Sequence, residues 1–456
     1  MSHSREIINI DLSQGIPNIQ EVRGNLGGYI IAWWKDIPLG HVNVDPAAFP
    51  IAQAKVATLF QPQVHAALNK YYQQVTDKPL AIEAIEAEPL SQLESALNQF
   101  KEVFKRLNFD QATVDERVSI VIPTMNRPEH LTYCLDSLTR LNHQPHEIIV
   151  VDNDPTTNVT PNVVKQFNRV QYLAQPVRGA SAARNLGAQH CSGEIIAFVD
   201  DDERVDPNWL VQIVEAFKDP DIGATSGLVL PGEIETKSQD FFETRFSFVR
   251  GYQPRYFDET FFEAGKFKGV PVWEIGGSGN MAVRREIFLN LGGFDERLGG
   301  GHAGCSEDTE FFYKLLKFGW QIAYNPRAIC YHFHRSTPIN LQWQIFSYMR
   351  GHVVALLVQF IKYKDWGNLN RLLIIIPLVY LKFFGRSFFN NPQFPFMVLR
   401  LEVMGCLSGI AYFFKNRSFW LKEQQPLLSK QNFLVHDAGV LPVSLSGRIT
   451  ARQQNR

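Results

Sequence analysis

Three adjacent carboxylates, Asp200, Asp201 and Asp202, follow an apolar run near the middle of the chain. Held side by side they repel one another, and something positive must relieve that cost. A divalent ion would do so, since Mg2+ or Mn2+ binds through one or two carboxylates together with substrate phosphates. The same triplet also reads as a solvated acidic turn. A second acidic pair, Glu307-Asp308, follows Cys305-Ser306 at the start of a helical pattern. Ser306 is placed to cap that helix, and carboxylates suit its first turn. The other reading is a general base at the edge of a cleft, taking a proton from a hydroxyl. Arg178 and Arg184 flank Gly179, Ala180, Ser181, Ala182 and Ala183, small residues that let an anion approach a helix N-terminus or let a helix pack tightly on a sheet. Gly276-Gly277-Ser278-Gly279-Asn280 reads as a flexible turn before a strand. His332 and His334 alternate along a strand and face one side. His332 is a candidate metal ligand beside Asp202 and Asp200, and equally a buried structural histidine.

These side chains need a frame that gathers them. VSIVIP (118–123) is a continuous apolar run, as in a strand buried on both faces. A helical stretch (128–141), EIIVVD (147–152), a further helix, VQYL (170–173), a helix over 179–190 and EIIAFVD (194–200) follow. This alternation predicts an α/β fold with a doubly wound, largely parallel sheet. Ligands in such sheets bind beyond the carboxyl ends of the strands. The polar residues fall there: 123–127 after the first strand, Asp152 to Asp154 after the second, and Asp200 to Asp202 after the fourth. Further on, GATSGLVLP and WEIGGSGNMAVRR read as strands, REIFLNLGGF and SEDTEFFYKLLKFG as helices, and WQIAYNP and AICYHFH as two closing strands.

In order along the chain, SIVIPTMNR, EIIVVDND, GASAARNLG, IIAFVDDD, GSGNMAVRR and SEDTEF resemble the motif series of family-2 glycosyltransferases of the GT-A fold. The resemblance covers about 118–335. Each motif is weak, and their order and spacing make the set specific. It implies an inverting transfer of sugar from a nucleotide-diphosphate donor, UDP-linked sugars foremost, to a hydroxyl of a glycan or lipid-linked acceptor. It implies that Pro123 and Arg127 line the nucleotide pocket, that Asp152 contacts the base or ribose, and that Arg184 is a nucleotide-pocket arginine. Asp154, Arg178 and Asp201 fall beside these and are taken with the donor site. Asp200 and Asp202 match the ends of a DxD motif that holds Mg2+ or Mn2+. Gly277, Ser278 and Asn280 match the segment near sugar and acceptor. Asp308 matches the catalytic base, with Glu307 next to it. The QxxRW signature of processive synthases is absent; residues 341–350 read LQWQIFSYMR, which favours a single transfer. Two other classes remain for comparison. A carbohydrate-binding scaffold would show no turnover, and a sugar-nucleotide pyrophosphorylase would carry a Gly-rich loop after the first strand, where this chain has PTMNR.

The expected organisation is an α+β extension (1–112), the GT-A catalytic domain (113–340), a basic, aromatic helical region (341–420) and a polar tail (421–456). Within the extension, strands are expected over 7–10 and 29–34, a turn over 36–40, and helices over 50–74 and 89–107. Net charge is -1, which speaks against nucleic acid as a partner. The total conceals a division. Residues 341–456 hold 14 of the 45 Lys+Arg and 4 of the 46 Asp+Glu, leaving 31 and 42 for the rest. Basic residues among apolar segments at 353–361, 372–384 and 396–414 suit helices lying in an anionic membrane interface. No uncharged apolar stretch reaches spanning length, so a peripheral location on the cytoplasmic face is expected. The five scattered cysteines suit a reducing compartment, and MSHSREIINIDL shows no leader.

Overall fold

The computed structural model describes residues 4–76, 78–80, 88–105, 116–389, 396–417 and 430. The boundary expected near 112 and, apart from Lys430, the tail 421–456 lie outside the described residues.

The first unit is a three-stranded sheet, β1 (Glu6–Asp11), β2 (Gly28–Trp34) and β3 (Ile37–Val44), with β1 parallel and β3 antiparallel to β2. The turn expected at 36–40 is a strand instead. Ile37 and Leu39 are fully buried, and Pro38 is tolerated because β3 is an edge strand. The turn itself shrinks to Lys35 and Asp36, with Lys35 at a φ of 54°. Helices Gln53–Thr76 and Pro89–Phe104 cover the sheet, burying Phe60, Val64, Leu68 and Tyr71 at helical spacing. Their core continues into Leu228, Leu230 and Ile329 of the next unit.

That unit is built on β4 (Val118–Thr124), β5 (Glu147–Asp152), β6 (Val170–Ala174), β7 (Ile195–Val199), β8 (Glu203–Val205), β9 (Ile222–Pro231), β10 (Arg255–Phe257), β11 (Asn280–Arg284) and β12 (Gln321–His332). The sheet order is β10-β12-β9-β11-β7-β4-β5-β6, with β8 paired to β12. Strands β7, β4, β5 and β6 run parallel. Alternate residues feed two cores: Val121, Ile149 and Phe198 on one face, Ile120, Val150 and Ala197 on the other. β11 is antiparallel to both β7 and β9. Its first residue, Asn280, therefore pairs with Val199 at the carboxyl end of β7 and brings the 276–279 turn to the same rim as Asp200. The two closing strands expected from sequence form one strand, β12, whose register shifts between Asn325 and Ile329. The architecture is a GT-A-like α/β fold.

Helix Pro338–Tyr363 then packs along helix Phe396–Lys415. A Cβ at Gly405 would meet Phe346 O at 2.6 Å and one at Gly409 would meet Arg350 O at 2.7 Å, so the glycines permit close helix crossing. Between them, Arg371–Ile375 forms a π-helical turn directly before helix Ile376–Phe389. Pro377 has no N–H to give the preceding turn, which accounts for the wide turn there. Among the described residues, only Phe396–Lys415 is long and apolar enough to cross a membrane by length and composition.

Candidate active site

The carboxyl ends of β4 and β7, the 276–279 turn and the start of helix Glu307–Lys317 open on one cavity of about 1060 Å3. Asp200, Asp201, Asp202, Glu307 and Asp308 all line it, so acidic stretches a hundred residues apart share one wall system.

One guanidinium ties them together. Arg184, on helix Ala180–His190 and only 3% exposed, donates from Nη1 to Glu307 Oε1 at 2.9 Å and from Nη2 to Asp200 Oδ1 at 2.5 Å. Burial opposes its charge, and the Asp200 and Glu307 carboxylates more than offset that, holding it above the usual arginine range. Its hydrogen bonds go to the protein's own acids, so its place is that of a brace between them. Arg127 braces the neighbouring pair, reaching Asp201 Oδ1 and Asp202 Oδ2 at 3.0 Å each. Asp201 turns inward, accepts from Thr124 Oγ1 at 2.8 Å, and is pushed to about 7 by burial and by the Asp202 charge. Burial also works against Asp202, but the Arg127 charge beside it helps hold it below the usual carboxylate range.

His332 Nε2 lies 3.6 Å from Asp202 Oδ1. Behind it runs a buried chain: His332 Nδ1 meets His334 Nδ1 at 3.0 Å, and His334 Nε2 meets Glu243 Oε2 at 3.0 Å. Glu243 Oε1 accepts from Tyr29 OH at 3.2 Å and Ser247 Oγ at 2.6 Å. Burial raises the Glu243 carboxyl, but these bonds, that from His334 first, hold it below its usual range and ionised. Burial draws His332 down to about 4, so it is neutral near pH 7. In the tautomer in which His334 Nε2 donates to Glu243, His334 Nδ1 accepts from His332 Nδ1. His332 Nε2 is then left with a free lone pair facing Asp202. A neutral imidazole nitrogen beside an ionised carboxylate suits a divalent ion that takes its other ligands from phosphate oxygens. No group of three or more His, Cys, Asp or Glu converges for a metal among the described residues, so Asp200, Asp202 and His332 do not gather as a three-ligand cluster, and Asp200 Oδ1 is taken by Arg184.

Asp308 Oδ2 accepts from the Ser278 N–H at 3.3 Å, and Oδ1 from the Thr309 N–H at 2.6 Å. Burial raises its pKa. Glu307 is pushed to about 7 by burial and by Asp308, against the pull of Arg184. Ser306, expected to cap this helix, makes no capping bond. It sits in the left-handed region at a φ of 74°, and its hydroxyl meets Cys305 Sγ at 3.1 Å.

The remaining expected residues divide. Pro123, Gly277, Ser278 and Arg178 line the cavity. Asn280 does too, but its side chain is taken by the sheet: Nδ2 donates to Leu228 and Ala328 carbonyls, and Oδ1 accepts from Trp209 Nε1. Asp152 is fully buried, accepts from Tyr172 OH at 3.2 Å, and is absent from the lining. Asp154 is likewise set back, paired with Arg178 at 2.8 Å. Asn153 lies between them on the cavity wall, its Oδ1 accepting from the Gly179 N–H at 2.7 Å. The Ala180 N–H at the helix start is also engaged, with Gly300 O at 3.2 Å.

Sequence reasoning missed three lining groups. Glu203 is buried, and a Cβ at Gly279 would come within 2.6 Å of it, so only glycine fits there. The loop holding Gly300, Gly301 and Gly304 roofs the cavity and is clamped by Arg350, which donates to His302 O and Ala303 O. Its glycine run was the available signal. Arg250 and Trp273 carry no local motif at all.

Residues 119–292 match the family model described as glycosyl transferase family 2. A glucosyl-dolichyl phosphate glucuronosyltransferase of Haloferax volcanii is 27% identical over 255 residues, covering 52% of this chain and 75% of that protein. The O-antigen biosynthesis protein RfbC of Myxococcus xanthus is 30% identical over 45% of this chain, which spans only 16% of that protein's length. Among solved structures, the mannosyltransferase PcManGT from Pyrobaculum calidifontis in complex with GDP-Man and Mn2+ aligns over 68% of this chain and 89% of its own, at a TM-score of 0.44 and 19% identity. The family match lies across the strands that carry the acidic cavity, and residues 119–292 are a glycosyltransferase domain of family 2.

Proposed function

We propose that this chain moves a sugar, with inversion, from a nucleotide-diphosphate donor to a hydroxyl of a glycan or lipid-linked acceptor. The observation that carries the reading is the shared cavity in which Arg184 braces Asp200 against Glu307, with Asp202 and Asp308 on the same walls. The acceptor oxygen attacks the anomeric carbon as the bond to the diphosphate breaks, and the hydroxyl proton passes to Asp308. A carboxylate raised by burial is a stronger base than one in water, and such proton transfer contributes roughly 10²–10⁴-fold. Asp202 and His332 would hold Mg2+ or Mn2+, which when bound neutralises diphosphate charge. Arg127 and Arg178, at the cavity rim, supply further positive charge to the leaving group. In the segment 152–154, Asn153 lines the cavity and Asp152 does not, which supports Asn153 as the residue beside the nucleotide, its amide holding the wall through Gly179 and Val177. The unpartnered apolar surface of the C-terminal helices supports a location on a membrane surface.

Asp308→Asn should lower turnover by roughly 10²–10⁴-fold and leave nucleotide binding within a factor of two or so. Calorimetry against UDP- and GDP-sugars with Mn2+, beside a transfer assay, checks both. Near-normal turnover in Asp308→Asn would remove the assigned base.

A further inference from the structure

The cavity slightly exceeds the usual range of about 300–1,000 Å3 for one small ligand, and its far part is lined by residues that the donor does not need. Arg250, Trp273 and Arg371 stand there, followed by Ile375, Ile376 and Val379. Arg250 is pinned by backbone carbonyls: Nε donates to Trp273 O at 2.9 Å and Nη1 to Ser247 O at 2.7 Å. Arg371 lies 4.0 Å over the Trp273 ring and donates from Nε to His352 Nε2 at 3.2 Å. Trp273 therefore contacts both guanidiniums, Arg250 through its carbonyl and Arg371 through its ring. Neither forms an ion pair with a carboxylate among the described residues, and the acid nearby, Glu274, pairs with Arg255 at 3.6 Å. Burial draws both arginines below their usual range, and it draws His352 to about 3, so the imidazole adds no charge. Two half-buried cations without a counter-ion are costly, and an anion supplied from outside relieves that cost. Arg250, Arg371 and Asp308 line the same cavity.

The other end is apolar. Ile375, Ile376 and Val379 line the cavity, while Leu373, Ile374, Leu378 and Leu381 of the same segment are exposed. A ligand that uses both ends has an anionic head and a hydrocarbon tail. A free glycan would leave the cations unmatched and the apolar wall wet.

We infer that the acceptor is a lipid-linked sugar phosphate, its phosphate bound by Arg250 and Arg371 beside Trp273, its chain leaving over the Arg371–Ile375 turn and a hydroxyl of its sugar reaching Asp308. This deepens the transferase reading and rests on it. Dodecyl phosphate, dodecyl alcohol and inorganic phosphate, each titrated into the full chain below micellar concentrations, test it. Dodecyl phosphate should bind at least about tenfold tighter than either of the others, as one charge-assisted contact beyond the tail or the phosphate alone would give. The double variant Arg250→Gln/Arg371→Gln should lose that tenfold, and nucleotide binding with Mn2+ on the same sample should persist and report folding. Should the double variant fail to fold, Arg371→Lys, which keeps charge but not the planar stack, should still lose selectivity measurably. Equal binding of alcohol and phosphate, inorganic phosphate as tight as the alkyl phosphate, or full selectivity in a folded variant would overturn the inference. A chain that selects dodecyl phosphate but binds no nucleotide would instead remove the donor reading and keep this site.

Discussion

Glu307 and Asp308 are neighbours in one helical turn, yet their surroundings divide them. Glu307 is tied to Arg184 and set near 7, whereas Asp308 is held by amide N–H groups and faces the 276–279 turn. Part of the elevation of Glu307 comes from the Asp308 charge. Asp308→Asn removes it, so the Glu307 midpoint should fall from about 7 toward the ordinary carboxylate range. Carboxylate-stretch infrared titration of isotope-labelled protein reads this, and an unmoved midpoint would show that burial alone sets it. At this scale the sequence was informative about which acids matter and silent about how they are held. Asp200 to Asp202 and Glu307-Asp308 are visible as clusters. That Asp152 points away while Asn153 faces the cavity depends on which side of a strand end each falls, which neighbouring letters do not reveal. Asn280 shows the same gap, since its three hydrogen bonds to distant elements exist only after the sheet forms.

Among elements, periodicity identified the buried strands and most helices because burial on both faces leaves continuous apolar runs. It misread residues 36–40, where Pro and Gly mimic a turn on what is an edge strand, and it split β12, whose register shift hides its continuity. The reversed direction of β11 was also hidden, although it is what delivers the 276–279 turn to the rim. The chain from Glu243 through His334 to His332 is a property of elements: a helix residue fixes the tautomer of a strand residue that faces Asp202. Glu243→Gln weakens that instruction, since an amide offers a donor as readily as an acceptor. Mn2+-dependent nucleotide binding should weaken by roughly 10–100-fold, the usual effect of losing a support behind a ligand, while metal-free nucleotide binding holds. Calorimetry with and without Mn2+ separates the two.

At the scale of the molecule, the charge division legible in the composition has a structural counterpart. Leu378 and Leu381 stand exposed on helix Ile376–Phe389. Removing residues 341–456 would not test membrane seating cleanly, because helix Pro338–Tyr363 lines the cavity and supplies Arg350 to the glycine loop. Leu378→Glu with Leu381→Glu is cleaner. Sedimentation with anionic vesicles should show at least a tenfold loss of binding, given about 1.5–3 kcal/mol per buried leucine. Unchanged sedimentation would count against membrane seating. The opposite end of the chain is bound in differently. Leu228, Leu230 and Ile329 belong to the transferase sheet but complete the interior of the first unit, and Arg5 adds an ion pair to Asp240 at 2.6 Å. The two are consequently not interchangeable parts. Trimmed between them, the transferase would carry a bare greasy seam into water and be lost to aggregates, so any lineage that borrows this enzyme has to inherit its opening hundred residues along with it.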